Sequence, residues 1–305
     1  MSGRRRFSWT PLQIDKLNKV ITILNELKAY RPLTLRQVYY QLVGKGYIEN
    51  KVSEYGMLSR LLKQARLEGY IPWEWIEDRV RAYHDLTGWS GAEAFIEASL
   101  EGFLDGYQRD LLQSQNVYLE IWIEKDALSS IFTRVARPYT VPVVVCRGFS
   151  SVSFLNDYRE RLKYQRSKAP VLLYFGDFDP SGVEMLEAMK ITLINELKLP
   201  NVTFSRVALL EDDIYEYRLP HSPEALKKTD TRASKHIAEY GELAVELDAL
   251  RPDILEAKIR EAIEAWLFNK DSFKQEQAKQ LEEIDKLDRL RAYIREQAQI
   301  FLSNT

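Results

Sequence analysis

The 305-residue chain has one cysteine, Cys146, so no disulfide can form within it and stability must come from buried apolar surface. Histidine is nearly as scarce. His84, His221 and His236 share no ligand spacing with one another or with Cys146, which excludes a structural zinc site. No apolar run reaches the ~18 residues that read as a membrane span, and no charged segment followed by an apolar stretch opens the sequence. The expectation is a cytoplasmic protein with no membrane partner. No Gly-x-x-x-x-Gly-Lys-Ser/Thr loop occurs, so no ATP site is expected in this chain. Internal repeats and low-complexity linkers are absent too.

A strong charge of one sign is also missing. The net charge of −2 excludes a protein that coats nucleic acid through its overall charge. The distribution is uneven, however: residues 1–84 carry 15 Lys/Arg against 8 Asp/Glu, and the remainder is acidic. A basic end can meet phosphates while an acidic end holds metal. With 45% hydrophobic residues, the length suits two compact domains.

Leu17, Val20, Ile21, Leu24 and Leu27 form an apolar stripe that predicts a helix from Pro11 to about Tyr30. A second helix opens at Thr34, an N-cap, and turns Leu35, Val38, Tyr39 and Leu42 to one side until Gly44 and Gly46. A third, roughly Ser53 to Glu68, buries Tyr55, Leu58, Leu61, Leu62 and Ala65 and turns Arg60, Lys63 and Arg66 outward. The segment Tyr70–Ile76 reads as a short wing or strand. Three short helices closed by a β segment suggest a winged-helix domain over residues 1–90, with Arg60, Lys63 and Arg66 entering a DNA groove.

After a further helix over 91–113, the pattern becomes strand and helix in alternation. Apolar runs at Val117–Ile123, Tyr139–Cys146, Val171–Phe175 and Val202–Leu209 read as strands, with helices near 127–137, 150–164 and 181–198. The fold class expected is α/β with α-rich flanks: a mostly parallel, Rossmann-like sheet over 91–255 and charged C-terminal helices over 256–305.

Acidic residues fall where open sheets expose their ligand crevice, at strand ends. Glu124 closes the first strand in Ile121-Trp122-Ile123-Glu124-Lys125-Asp126-Ala127. Asp177 and Asp179 close the central one in Gly176-Asp177-Phe178-Asp179-Pro180-Ser181-Gly182. In extended backbone, residues two apart point the same way, so both aspartates are expected to share one hard cation while Phe178 packs oppositely. Mg²⁺, with Mn²⁺ as the other option, suits such oxygen ligands. Lys125 is read as a phosphate contact or a partner charge, and Gly148-Phe149-Ser150-Ser151 as an anion cradle or a capped turn. Glu120, Glu242 and Glu246 are read as solvated or capping residues, or as help for a second metal.

The strand-end Glu124-Lys125, the turn glycine Gly148 and the run Asp177-Phe178-Asp179-Pro180-Ser181-Gly182 resemble the Toprim domain of the topoisomerase VI A subunit and of the related protein that makes meiotic double-strand breaks. Tyr217-Arg218-Leu219-Pro220, Lys228-Thr229-Asp230 and Glu246–Leu250 resemble the same family's C-terminal half. In that family a winged helix precedes the Toprim domain and carries the nucleophile at the end of an Arg-x-x-Tyr-Tyr-like motif. Arg36-Gln37-Val38-Tyr39-Tyr40 stands at the matching place, with Gln37 where the family commonly has an acid.

The resemblance thus implies Tyr40 as nucleophile, and the helical pattern agrees: Leu35, Val38, Tyr39 and Leu42 face the core, which leaves Tyr40 on the opposite face with Arg36 one turn before it to pair with the attacked phosphate. It also implies tyrosyl transesterification of double-stranded DNA to a 5′-phosphotyrosyl break by a homodimer. Fewer than forty residues precede the motif, so a compact member working without the family's ATPase B subunit is expected. Two other readings stand beside it: a Toprim nuclease that uses metal-activated water while Tyr40 only packs, and an inactive DNA-binding protein.

Overall fold

A computed structural model describes residues 8–77, 87–146, 148, 151–165, 167–221, 226 and 231–303. The first helix, α1 (Pro11–Glu26), starts at Thr10, whose hydroxyl accepts from the Gln13 N–H, with Pro11 at its first position. A two-residue strand β1 (Leu33–Thr34) leads into α2 (Leu35–Gly44). Thr34 caps it as expected, and Gln37 completes the capping box by accepting from the Thr34 N–H at 2.8 Å. That gives Gln37 a local structural role. Helix α3 (Val52–Leu67) buries Leu58, Leu61, Leu62 and Ala65, leaves Tyr55 half-buried, and exposes Arg60 and Lys63.

The expected wing is only a 3₁₀ turn, Trp73–Trp75, followed by β2 (Ile76–Glu77). This strand pairs in parallel with β1 and forms no hairpin among the described residues. The expected helix over 91–113 is shorter as well: α4 (Ala92–Glu101) ends at Gly102. Leu104 and Gly106 then take positive φ of 60° and 78°, which an α-helix cannot continue through.

The α/β unit follows in chain order: β3 (Val117–Ile123), α5 (Ser129–Ala136), β4 (Val143–Val145), α6 (Val152–Leu162), β5 (Ala169–Phe175), α7 (Pro180–Ile191), β6 (Thr203–Ala208), α8 (Glu211–Glu216), α9 (Thr231–Tyr240), α10 (Pro252–Glu264) and α11 (Lys270–Ser303). The strand expected over Tyr139–Cys146 keeps only its centre. Arg137–Tyr139 finishes a helical turn, and Thr140 at φ 58° reverses the chain before β4.

The sheet is all parallel in the order β4-β3-β5-β6. Residues two apart along each strand share a face, so Ile121, Ile123, Leu173 and Phe175 enter one core with α5 and α10. Trp122, Leu172 and Tyr174 enter another with Tyr158, Met185 and Leu186. The first core continues without a break into the three-helix unit. Helix α11 lies along residues 100–113: Arg109 pairs with Glu276 and Glu283, each at 2.6 Å, and Arg295 donates to the Glu101 carbonyl at 2.7 Å. Among the described residues, no helix is long and apolar enough to cross a membrane.

Candidate functional site

Register brings the acidic strand ends together. Ile123 pairs with Phe175, so Glu124 and Asp177 leave adjacent strands side by side, and the Asp177 N–H donates to Glu124 Oε2 at 3.0 Å. Phe178 packs the other way as expected, against His236 and Tyr240, and exchanges two backbone hydrogen bonds with Val245. That bridge delivers the Leu247 N–H to Asp177 Oδ1 at 2.8 Å. Asp179 differs from expectation: its Oδ1 accepts the Gly182 N–H at 2.7 Å and caps α7, because the first turn of a helix offers free N–H donors. Gly182 is required by contact. A Cβ there would meet the Asp177 carbonyl oxygen at 2.3 Å and Glu124 Oε2 at 3.2 Å.

Lys125 Nζ, expected as a phosphate contact or a partner charge, is a partner charge here: it lies 2.9 Å from Asp177 Oδ2, 2.9 Å from Glu246 Oε2 and 3.1 Å from Asp248 Oδ2. Burial pulls its pKa down, but these three acids outweigh that and hold it well above the usual lysine value. Burial, with Glu124 and Glu246 adding to it, pushes Asp177 up to about 7 against the pull of Lys125. Glu124 is also raised, by burial first and then by Asp179. Glu246 goes the other way: despite its burial, Lys125 and Arg36 hold it below the usual carboxylate range. It is therefore an ion-pair partner and not a solvated residue. Glu120 is wholly buried, with Arg161, Tyr118 and Trp122 donating to it, while Glu242 is exposed.

Arg206, which is not among the residues expected from the sequence, braces the carboxylate turn. Half-buried, it donates from its guanidinium to the carbonyls of Gly176, Asp177, Gly182 and Leu209, tying β6 to both ends of the Asp177–Gly182 turn. A signal existed, since Arg206 is the single charged residue in the strand Thr203–Ala208. Of the remaining expectations, Gly148 takes the positive φ of 74° that a turn glycine permits, and Ser151 caps α6. His84, Phe149, Ser150 and Lys228-Thr229-Asp230 lie outside the described residues.

The three-helix unit meets this group through α2, which packs on the turn Leu247–Ala249. Arg36 Nη1 pairs with Glu246, and the two acids Glu246 and Asp248 raise its pKa despite burial. Covering α2 on its second side also buries Tyr40, which is 4% exposed and packed edge-to-face on Tyr39 at 5.3 Å. The outward orientation expected for Tyr40 is thus corrected. Helical periodicity sees one buried face, and here all of Gln37–Leu42 is buried between α1 and that turn.

Between the two units lies a cleft of about 660 Å³. Arg36, Lys63 and Arg66 line one wall, and Glu124, Lys125, Asp126 and Asp248 the other; Arg60 and Tyr40 are not among its lining residues.

Among the described residues, no group of three or more His, Cys, Asp or Glu side chains is arranged to hold a metal ion, and Asp179 is engaged in the cap of α7. A two-carboxylate site does fit. Mg²⁺ commonly takes only one or two protein carboxylates, with water and phosphate oxygens completing the shell. Glu124 and Asp177 are hard oxygen donors, half-buried and buried, and the Glu124 charge raises the proton affinity of Asp177, a repulsion that a cation relieves. No protein-family model matches the chain, and no curated protein matches it.

Proposed function

We propose that the chain cleaves DNA phosphodiesters with a divalent cation at this cleft, its three-helix unit standing as a winged-helix relative and its sheet as a Toprim-type domain. One observation carries the reading: the cationic wall of α2 and α3 shares one cleft with Glu124 at the end of β3, whose Oε2 accepts from the Asp177 N–H at the end of β5. Glu124 and Asp177 would hold Mg²⁺ or Mn²⁺, which supplies charge neutralisation at the phosphoryl oxygens undergoing transfer. Arg36, Lys63 and Arg66 bind phosphates. Arg206 holds the carboxylate turn in shape.

Two nucleophiles remain in play. In tyrosyl transfer the Tyr40 Oη–phosphorus bond forms, the phosphorus–O3′ bond breaks, and the phenolic proton leaves so that a 3′-hydroxyl results. This route requires α2 to part from Leu247–Ala249, after which Tyr40 of one copy in a homodimer meets the carboxylates of the other. The burial of Tyr40 favours the second route, hydrolysis by water with Tyr40 as packing. A cytoplasmic enzyme acting without an ATPase subunit belongs to the same proposal.

The test is cleavage of supercoiled plasmid with Mg²⁺ or Mn²⁺, stopped with detergent and run with and without protease, for wild type, Tyr40→Phe and Asp177→Ala. Protein-linked 5′ ends that vanish in Tyr40→Phe establish tyrosyl transfer. Free ends that persist in Tyr40→Phe but need Asp177 establish hydrolysis. No cleavage by wild type with either cation overturns the proposal.

A further inference from the structure

Resting on that reading, we infer that the strand engaged by the cleft is unpaired DNA and not intact duplex. A helix that reads duplex must present a free face to a major groove about 12 Å wide, with phosphates passing on both sides of it. The face of α3 that carries Ser59, Lys63 and Arg66 has no such freedom: it looks across the cleft at Glu124, Asp126 and Asp248. Duplex could reach these cations only by displacing the α/β unit. That unit is held by the Arg36–Glu246 ion pair and by α2 packed on Leu247–Ala249.

An unpaired strand meets no such obstacle. The cleft, about 660 Å³, has the size of sites that take a small molecule whole, roughly 300–1,000 Å³. Its lining also has the composition that binds single strands, where cations follow the backbone and aromatic faces take the bases. Trp73, 56% exposed, stands at the cleft with the Arg66 guanidinium 4.4 Å from its ring centre. Tyr55, Leu62 and Ile76 add apolar surface to the same walls. Arg66 already donates to the carbonyls of Trp73 and Ile76, which fixes the indole beside the basic row. Lys63 is exposed on this wall, so charge complementarity favours a phosphate there over a neutral ligand.

The experiment uses the full chain in excess chelator, so that binding is read without cleavage. Fluorescence anisotropy is measured with a labelled oligothymidylate of about 15 nucleotides, near the upper site size of one single-strand-binding fold, and with duplex of equal length. The oligothymidylate should bind at least about tenfold tighter than duplex, and Trp73→Ala and Lys63→Glu should each weaken it about tenfold. Both substitutions are at exposed positions, and unchanged circular dichroism confirms that each variant is folded.

Arg60→Glu separates the two binding modes, because Arg60 lies on the same helix but outside the cleft. It should leave oligothymidylate binding within about twofold. Equal or tighter binding of duplex, or an Arg60→Glu loss as large as that of Lys63→Glu, overturns the inference. If wild type binds single strands but cleaves nothing, the cleavage reading fails and the binding inference survives.

Discussion

The ammonium of Lys125 lies 2.9 Å from Oδ2 of Asp177, on a lysine 19% exposed beside an aspartate 9% exposed at the side chain. The chain's own cation therefore occupies the acid cluster, and it links the carboxylate turn to Glu246 and, through Glu246, to Arg36 of the three-helix unit.

Lys125→Met removes that cation from the buried Asp177 and Asp248 and leaves the half-buried Glu246 with Arg36 alone. Breaking a buried pair by removing one partner costs about 3–5 kcal/mol, and chemical denaturation in chelator should show a loss of that order. Mg²⁺ should restore part of the stability, because a divalent ion replaces the missing charge. A loss under about 1 kcal/mol would mean that the acids are compensated by other groups.

Glu246→Gln tests the bridge through pH. The folded pKa of Glu246 lies below its usual value, so its ionised form stabilises the fold above the unfolded pKa, near ~4.3. That stability is lost as pH falls through the lower folded value. Wild type should therefore exceed Glu246→Gln in stability at pH 7, and the gap should close on titration below about pH 4. A gap independent of pH would assign the effect to packing instead.

Two glycines should respond with opposite signs. Gly182→Ala places a Cβ 2.3 Å from the Asp177 carbonyl oxygen, so the turn must move. A loss of about 1–3 kcal/mol and defective plasmid cleavage are expected. Gly56, inside α3, has no atom within 4 Å of an added Cβ, and Gly56→Ala should stabilise by about 0.4–1 kcal/mol. Thermal melts of the two variants side by side check both signs.

Arg206→Met strips donors from the carbonyls of Gly176, Asp177, Gly182 and Leu209. Hydrogen bonds to a charged group contribute roughly 1.5–3 kcal/mol each in net terms, and they are not additive. A loss near ~3 kcal/mol with weakened metal binding is expected by denaturation and calorimetry. Unchanged metal affinity would confine Arg206 to stability.

Much of the local structure was legible. The strand expected at Val117–Ile123 has those bounds, Thr34 caps its helix, and Leu58, Leu61, Leu62 and Ala65 are buried on α3. The helix expected over 91–113 ends at Gly102, where Leu104 and Gly106 turn to positive φ and the Arg291 and Arg295 side chains of α11, far away in sequence, take up the carbonyls of Leu100, Glu101 and Phe103. Asp177 and Asp179 follow the strand end as read, but the N-terminus of α7 captured Asp179.

Caps, strand runs and the order of acids along the chain depend on neighbours a few residues away, so the sequence by itself determined the alternating α/β pattern and placed Glu124 and Asp177 at strand ends. Only the tertiary structure decided that α2 would be covered on both sides and Tyr40 buried, that Lys125 would meet acids more than a hundred residues later, and that the basic face of α3 would look into a cleft. These outcomes depend on the docking of two units through the Arg36–Glu246 pair and the Leu247–Ala249 turn. Periodicity within one helix carries no information about a surface that arrives from another part of the chain.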